Sequence, residues 1–326
     1  MRRPRVLREI QPYQIYNHLD GINEVAQKSA LFLNMQRYYA QKDKNVFNYM
    51  PETYLIPSQA SFELNPQFKA FRAACQPGQL WIFKPGESTN RGNGIKVFND
   101  FDKIKAHMVE YCRQAENRRG QGKHRNCILQ RYIKRPLLIS RRKFDIRVFA
   151  LAVCHADTGR IRGYFYEEGY LRTSSKDFNL DKWDNRLIHL TNDAVQKNSA
   201  DYGKYESANK ISYLDFDKHL QRERGVSFLG KIVPRIKEIV TDVFEATGRS
   251  MYRPGEKSEG PSRSHSSANY NAFELMGFDF MLDSDLNLYL IEVNTNPCLD
   301  TPCMLLQRMI PQVLDQTLKL AVDPFL

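Results

Sequence analysis

Two apolar stretches near the end of the chain, Phe278–Met281 (FDFM) and Leu288–Asn294 (LYLIEVN), decide the fold. In each stretch apolar side chains alternate as they do in a β-strand. Each stretch also carries acidic or amide side chains at positions where apolar side chains would be less costly in free energy. Residues 283–287 (DSDLN) between them have the composition of a turn. The sequence therefore predicts that the two stretches pair as an antiparallel hairpin.

Three polar side chains of this hairpin are predicted to converge. Because side chains alternate across a strand, Glu292 and Asn294 share one face, while Ile291 and Val293 take the other. With the turn centred between the strands, Asp279 falls opposite Glu292. Two carboxylates and an amide oxygen at one spot are costly unless a cation lies between them. Oxygen ligands too few to enclose an ion suit Mg²⁺ that also binds phosphates and water. The alternative is a solvated sheet face with unrelated charges.

Length and composition indicate a folded globular protein. The chain has 326 residues, of which 42% are hydrophobic and 12% aromatic, enough for one large domain or two to three modest ones. No run of about 18 apolar residues occurs, so we expect no membrane association. The basic start, residues 1–5, is not followed by an apolar core, so we expect no secretory signal. Six cysteines without paired spacing indicate reduced thiols in a cytoplasmic protein.

The charge balance points to a polyanionic partner. Lysine and arginine outnumber aspartate and glutamate by 48 to 37, which gives a formal net charge of +11. This excess favours nucleic acid, an acidic lipid surface or an acidic protein segment. No RNP-type aromatic signature, zinc finger or helix-turn-helix pattern occurs in the sequence, so we expect no nucleic-acid partner.

Periodicity and turn signals divide the chain into helices and strands. Helices are predicted at 13–50 (mostly helical), 65–75, 101–119, 228–247 and 303–320. Strands are predicted at 51–57, 80–85, 95–98, 127–133, 143–154 and 161–167. Residues 249–268, rich in Ser, Gly and Pro, are predicted to form a flexible surface loop.

A glycine-rich loop lies between two of these strands, at residues 86–94. Its three glycines would let the backbone approach an anion and donate N–H groups to it. The loop lacks the GxxxxGK[ST] pattern of a P-loop. A hairpin lid over phosphates, with Lys84 in the preceding strand, explains it better. The alternative is a hairpin loop without a role in binding.

The stretch 142–148 (RKFDIRV) is a second candidate for binding phosphates. Alternation puts Lys143, Asp145 and Arg147 on one face and the apolar residues between them in the core. Fixed charges of this kind can bind phosphoryl and carboxylate groups. The alternative is a self-neutralising row of charges with a purely structural role.

Eight stretches, in this order, resemble the tubulin–tyrosine-ligase-like family. They read WIFKPG…NRGNGI, ILQRYI, RKFDIRVF, GYLRTSS, HLTNDAVQK, DYGKYE, FELMGFDFML and LYLIEVNTNPCL. The resemblance extends from about residue 13 to the C-terminus. It implies an ATP-grasp fold of the α/β (α+β) class, in which two α/β lobes with mainly antiparallel sheets clasp ATP, plus a short N-terminal helical or α/β segment. It also implies an enzyme that joins an amino acid to a carboxylate on a protein, most often in the acidic C-terminal tails of tubulin.

The resemblance implies roles for the residues at matching positions. Those implied to bind the nucleotide are Lys84, Arg91, Gly92, Gly94, Ile95, Gln130, Arg131, Tyr132, Ile133, Lys143, Asp145 and Thr191. Those implied to act on the γ-phosphate and on the carboxylates of the substrates are Lys143, Arg147, Arg172 and Asn192. The implied magnesium ligands are Asp279, Glu292 and Asn294, the same three that the hairpin itself predicts.

The family's chemistry sets the remaining expectations. ATP and Mg²⁺ would convert a carboxylate to an acyl phosphate, which the amine of the incoming amino acid attacks. The expected partners are tubulin tails and a free amino acid, and the expected location is the cytoplasm, on microtubules or cilia. We expect a monomer. Two alternatives remain: the same chemistry on another acidic protein, and a catalytically silent tubulin-binding module.

Two departures from the family pattern favour glycine or tyrosine over glutamate as the added amino acid. The lid reads NRGNG at 90–94, where many glutamate-adding members resemble Gln-Gly-Lys/Arg-Gly. Thr295 stands where those members often have histidine.

Three regions are predicted along the chain. Residues 1–78 would form an abbreviated N-terminal lobe, and residues 79–135 a central ATP-grasp subdomain with the lid. Residues 136–326 would form a C-terminal subdomain that holds the magnesium, ATP and acceptor sites.

Overall fold

Two largely antiparallel sheets organise the chain. The computed structural model describes residues 14–86, 94–117, 126–156, 158–251 and 271–325. In these residues the strands are β1 Ile15–Tyr16, β2 Thr53–Pro57, β3 Trp81–Lys84, β4 Lys96–Phe98, β5 Asn126–Arg131, β6 Leu138–Ile139, β7 Arg142–Cys154, β8 Ile161–Asp177, β9 Lys210–Ser212, β10 Asn271–Leu282 and β11 Leu288–Thr295. The α-helices are α1 Asn23–Ala26, α2 Lys28–Ala40, α3 Pro66–Ala74, α4 Phe101–Asn117, α5 Arg186–His189, α6 Asp193–Gln196, α7 Tyr213–Arg224, α8 Val233–Met251 and α9 Met304–Ala321. This mixed α/β architecture agrees with the predicted ATP-grasp fold.

The larger sheet has seven strands. Its main path runs β1-β10-β7-β8-β9, with β11 pairing with β10 and β6 with β7. Every pairing is antiparallel except the short one between β1 and β10. One face is covered by the apolar sides of α2, α7 and α8, which together with the sheet form the central core. Helix α9 covers part of the opposite face, where it packs on Phe149 and Tyr170.

The hairpin predicted at the end of the chain is formed by β10 and β11. Asp279 pairs with Glu292 across the two strands, as predicted from the position of the turn. The next pair is Phe280 with Leu290, so the register passes over Ile291 as a bulge. Because of this extra residue, Leu290 and Val293 both lie in the central core although they are three residues apart.

The smaller sheet has four antiparallel strands in the order β2-β5-β3-β4. Strands β3 and β4 flank the glycine-rich loop as a hairpin, as predicted, and Trp81 lies opposite Phe98. One face of the sheet buries Trp81 and Phe83 against α3 and α4. The other face carries Lys84, so this side chain is turned away from that apolar cluster.

Several predicted boundaries were wrong. Residues 13–50 are less helical than predicted, because β1 precedes α1 and α2 and a short 3₁₀ turn, Val46–Asn48, follows them. The strand predicted at 127–133 ends at Arg131, and β8 runs ten residues past its predicted end at 167, to Asp177. The helix predicted at 228–247 begins with π-helical turns at Phe228–Ile232. Helix α8 continues to Met251, so the first residues of the loop predicted at 249–268 are helical; residues 252–268 lie outside the described residues.

In the parts of the chain that are described, none of the helices has the length and apolar character needed to cross a bilayer. The division into three regions stays a prediction, and β2, from the first of them, forms an edge of the smaller sheet.

Candidate active site

Charged side chains from four strands of the larger sheet meet on the same face as α9, in the part of it that this helix does not cover. Across the strands, Glu292 pairs with Asp279 and Asp279 with Arg147, so acidic and basic side chains lie in one row. In a second row, Asp145 pairs with Arg172. These residues are held by strand pairing rather than by loops, so their relative positions are fixed by the sheet.

Asp279 is the centre of the first row. Arg147 donates from Nε to Oδ1 at 2.6 Å and from Nη2 to Oδ2 at 3.2 Å. Arg172 reaches the same Oδ2 with its Nη2 at 2.8 Å. All three side chains are at least nine-tenths buried. Two guanidinium groups therefore neutralise one buried carboxylate, an arrangement that removal of either partner would unbalance.

Asp145 is bound in a similar way. Arg172 donates from Nε to Oδ1 at 2.6 Å and from Nη2 to Oδ2 at 2.8 Å. The hydroxyl of Thr191 also donates to Oδ2. Arg172 thus bridges two carboxylates on different strands. Thr191 belongs to the same network through its bond to Asp145.

The three predicted magnesium ligands are in contact with one another. Asn294 donates from Nδ2 to Asp279 Oδ2 at 3.1 Å and to Glu292 Oε1 at 3.2 Å. The other carboxylate oxygen of Glu292 lies 2.9 Å from the ammonium group of Lys28. Burial alone would raise the pKa of Glu292, but the charges of Lys28 and Lys84 hold it well below its usual range. Glu292 therefore remains ionised and able to bind a cation.

Lys84 brings a cation of the smaller sheet to this region. Its Nζ donates to Gln130 Oε1 at 2.7 Å, and Gln130 Nε2 donates to Thr53 Oγ1 at 2.8 Å. Burial lowers the pKa of the Lys84 ammonium to about 8, although the charge of Glu292 opposes the shift. Because Lys84 interacts with a carboxylate of the larger sheet, the site includes side chains of both sheets.

Lys143 is a second buried lysine with a similar environment. Its Nζ donates to the carbonyl of His189 at 2.9 Å and to the hydroxyl of Tyr132 at 3.2 Å. Burial lowers the pKa of Lys143 to about 8, with the charge of Asp145 opposing the shift. The Tyr132 hydroxyl in turn lies 2.7 Å from His189 Nδ1, so these groups hold the ammonium group in place.

The remaining predicted residues are less closely connected. Arg131 is half-exposed and pairs with Glu52 at 2.8 Å, because alternation along β5 turns it away from its neighbours Gln130 and Tyr132. Ile133 follows the end of β5 and is partly buried. Asn192 precedes α6, and its carbonyl accepts the first amide hydrogen bonds of that helix.

The described end of the lid begins at Gly94, which has a φ of +73°, a conformation that suits glycine. Ile95 follows it and is partly buried. Arg91 and Gly92 lie outside the described residues.

Sequence reasoning missed three residues of this region. Lys28 is on a helix more than 260 positions before its partner Glu292. Lys210 pairs across the sheet with Arg172, and its Nζ contacts Asp193 at 2.6 Å. At Gly277 an added Cβ would lie 3.2 Å from Arg147 Nη1, so the missing side chain leaves room for that guanidinium. A pairing of β9 with β8 would have revealed Lys210, but β9 is too short to recognise from its pattern.

The donor set fits one magnesium ion together with a polyphosphate. No cluster of three or more His, Cys, Asp or Glu side chains arranged for a metal occurs in the described residues. Two carboxylates and an amide do converge, which leaves most positions of an octahedral ion to phosphates and water. Asp279 is the least available of the three, because guanidinium groups contact both of its oxygens. The buried cations Lys84, Lys143, Arg147 and Arg172 suit the phosphate charge.

The α/β fold with mainly antiparallel sheets agrees with the ATP-grasp class. The chain belongs to the Tubulin-tyrosine ligase family, whose profile matches residues 7–326. It is 32% identical over 245 residues to tubulin glycylase 3B of Tetrahymena thermophila; the aligned residues make up 75% of this chain and 18% of that relative. It is 27% identical over 307 residues to the probable tubulin polyglutamylase TTLL2 of Mus musculus; here the aligned residues make up 90% of this chain and 48% of that protein. The chain thus spans about half, or less, of the length of these relatives.

Proposed function

We propose that this chain is an ATP-dependent ligase that joins an amino acid to a carboxylate of tubulin C-terminal tails. The observation that carries the proposal is the buried contact of Arg147 and Arg172 with Asp279, beside Glu292 and Asn294. This contact supports the proposal because cations suited to phosphoryl and carboxylate groups lie next to oxygen atoms suited to magnesium. The names of the similar proteins, which include tubulin glycylases and a probable tubulin polyglutamylase, support tubulin as the acceptor.

The proposed reaction has two steps. A carboxylate oxygen attacks the γ-phosphorus of ATP, so that ADP leaves and an acyl phosphate forms. The amine nitrogen then attacks the acyl carbon, phosphate leaves, and the nitrogen loses a proton to give the amide. Mg²⁺ held by Asp279, Glu292 and Asn294 would offset the negative charge of the phosphates.

The side chains of this chain act by placement and charge. Glu292, Asn294 and Asp279 are proposed to hold the metal, and Lys84 and Lys143 to bind the phosphates. Gln130, Tyr132, Ile133 and the residues of the lid are proposed to frame the rest of the nucleotide, together with Arg131, Asp145 and Thr191. Arg147 and Arg172, supported by Asn192, would orient the carboxylates and offset the charge that develops on the transferring phosphoryl group.

We propose glycine or tyrosine, rather than glutamate, as the added amino acid, on the basis of the lid sequence at 90–94 and Thr295. The net charge of +11 favours encounter with acidic tails. The protein would accordingly act as a monomer in the cytoplasm, on microtubules or cilia, with the three predicted regions forming the lobes around the nucleotide.

The test is mass spectrometry of tubulin tail peptides after incubation with the chain, ATP, Mg²⁺ and a mixture of labelled glycine, tyrosine and glutamate. We expect the mass of glycine or tyrosine to be added to a tail carboxylate. Acidic peptides from other proteins serve as the comparison. Labelling of these peptides alone would support another acceptor, and no labelling of any peptide would contradict ligase activity.

A further inference from the structure

The contact between Lys28 and Glu292 is a second feature of the magnesium site. We propose that Lys28 is a positioning residue: its ammonium group holds Glu292 in the metal-free protein and releases this carboxylate when a divalent cation binds. The inference deepens the proposed function and rests on its assignment of Glu292 as a metal ligand.

Lys28 is held close to the hairpin by the packing of its helix. It is the first residue of α2, and Leu31, Phe32 and Met35 of that helix lie in the central core. Its Nζ lies 2.9 Å from Glu292 Oε2, and the two side chains are 25% and 27% exposed. A half-enclosed ion pair of this kind is screened less than one on the open surface.

Both oxygens of Glu292 are used in this state. Oε2 is paired with Lys28, and Oε1 accepts a hydrogen bond from Asn294 Nδ2 at 3.2 Å. The amide of Asn294 presents its nitrogen, a donor, to both Glu292 and Asp279. Each oxygen of Glu292 keeps a further lone pair, but a cation bound there would be repelled by the Lys28 ammonium and by the N–H groups of Asn294, so these donors oppose metal binding until they move away.

Among the cations of the site, Lys28 is the one that can move at the lowest cost. Arg147 and Arg172 bind through two nitrogens each and are almost fully buried. Lys84 is buried and bonded to Gln130. Within the described residues, Lys28 forms one ion pair, through a flexible and partly exposed side chain. Metal binding would therefore displace Lys28 first, and with it the link between α2 and the hairpin.

The experiment measures Mn²⁺ affinity by electron paramagnetic resonance, on the full chain and without nucleotide. Lys28→Met and Lys28→Gln remove the competing charge, and Lys28→Arg keeps it. Lys42→Met is the matched control. Lys42 follows the same helix, and its Nζ lies 3.1 Å from Glu245 Oε2 in an ion pair that is outside the site. Circular dichroism in the absence of metal checks that each variant is folded.

We expect Lys28→Met and Lys28→Gln to bind Mn²⁺ about fivefold to tenfold more tightly than the unaltered protein, with no such gain for Lys28→Arg or Lys42→Met. A purely structural role for Lys28 would change the unfolding midpoint and leave Mn²⁺ affinity unchanged or weaker, which would overturn the inference. Glu292→Gln separates the two levels of the proposal. If it weakens Mn²⁺ binding while the Lys28 variants have no effect, only the role of Lys28 is lost. If it has no effect on Mn²⁺ binding, the proposed magnesium site is lost as well.

Discussion

Arg172 and Asp279 are on strands that are not neighbours, yet Arg172 Nη2 lies 2.8 Å from Asp279 Oδ2. The guanidinium of Arg172 on β8 extends past β7 to reach β10 while it also binds Asp145. One side chain thus links three strands, and the stability of the site depends on it.

The variant Arg172→Met should therefore destabilise the fold. It leaves Asp145 with one neutral donor, Thr191, and weakens the neutralisation of Asp279, both in buried positions. We expect the free energy of unfolding to fall by about 3–5 kcal/mol in urea denaturation. Arg308→Met removes an ion pair in which two guanidinium nitrogens contact Glu168, but the pair is half-exposed. The free energy of unfolding should therefore fall by about 1 kcal/mol or less. Equal losses in the two variants would contradict the structural importance of Arg172.

The variant Glu292→Gln should remove ligase activity while sparing the fold. The amide has the size of the carboxylate but lacks the charge that a metal ligand provides. We expect ligation of labelled amino acid to fall by roughly 100-fold or more, with little change in the unfolding midpoint. Glu168→Gln, which alters a carboxylate away from the site, should keep its activity. Unchanged turnover in Glu292→Gln would refute the assignment of this residue.

Nucleotide affinity should depend on the protonation of Lys84 and Lys143. Burial lowers the pKa of both to about 8, so each carries its charge below that pH and loses it above. Titration with a fluorescent ATP analogue should show affinity falling by roughly threefold to tenfold between pH 7.5 and pH 9. Bound phosphate favours the charged lysines and will move the transition upward. In Lys143→Arg the added guanidinium stays charged, so the decrease should be smaller; an identical pH profile would argue against a role for Lys143.

His189 should make the stability of the protein depend on pH. Burial, together with the nearby charge of Lys143, lowers its pKa from 6.5 to about 4. Its Nε2 lies 3.0 Å from the Lys182 carbonyl, which leaves Nδ1 as acceptor for the Tyr132 hydroxyl in the neutral ring. Since the unfolded chain binds the proton more readily, the stabilising effect is complete above about pH 6.5 and is lost as pH falls towards 4.

Urea unfolding at pH 7.5 and pH 4.5 measures this contribution. Between pH 7.5 and pH 4.5, the free energy of unfolding of the unaltered protein should fall by on the order of 2 kcal/mol more than that of His189→Gln. The variant serves as the reference for all other titrating groups. If both proteins lose the same amount, protonation of His189 is not coupled to folding.

Local patterns predicted the parts of the site that lie along single strands. The alternation of 142–148 placed Lys143, Asp145 and Arg147 on one face, and the pairing of Asp279 with Glu292 followed from the position of the turn. The first prediction needed only the geometry of a strand. The pairing of Asp279 with Glu292 also depends on the bulge at Ile291, because a regular hairpin would place Asp279 opposite Ile291.

Contacts between distant parts of the chain were beyond this reasoning. Lys28 approaches Glu292 only because α2 packs against the central core, and no local pattern records that packing. Arg131 shows a second limit: the resemblance implied a run of four residues at the nucleotide, and the pairing of the Arg131 side chain with Glu52 is a contact that the pattern did not predict. Arg147 and Arg172 contact Asp279 from two different strands, and these contacts depend on the order of the strands in the sheet, which local patterns do not give.

The extra residue of the hairpin makes its length as important as its chemistry. Because the register passes over Ile291, Leu290 lies in the core while Glu292 faces the charged side chains of the site. Deleting Ile291 would remove the bulge and leave Leu290 and Val293 on the core face, with Glu292 between them on the site face. Inserting a residue between Ile291 and Glu292 would instead turn Glu292 and Asn294 towards the core and Val293 towards the site.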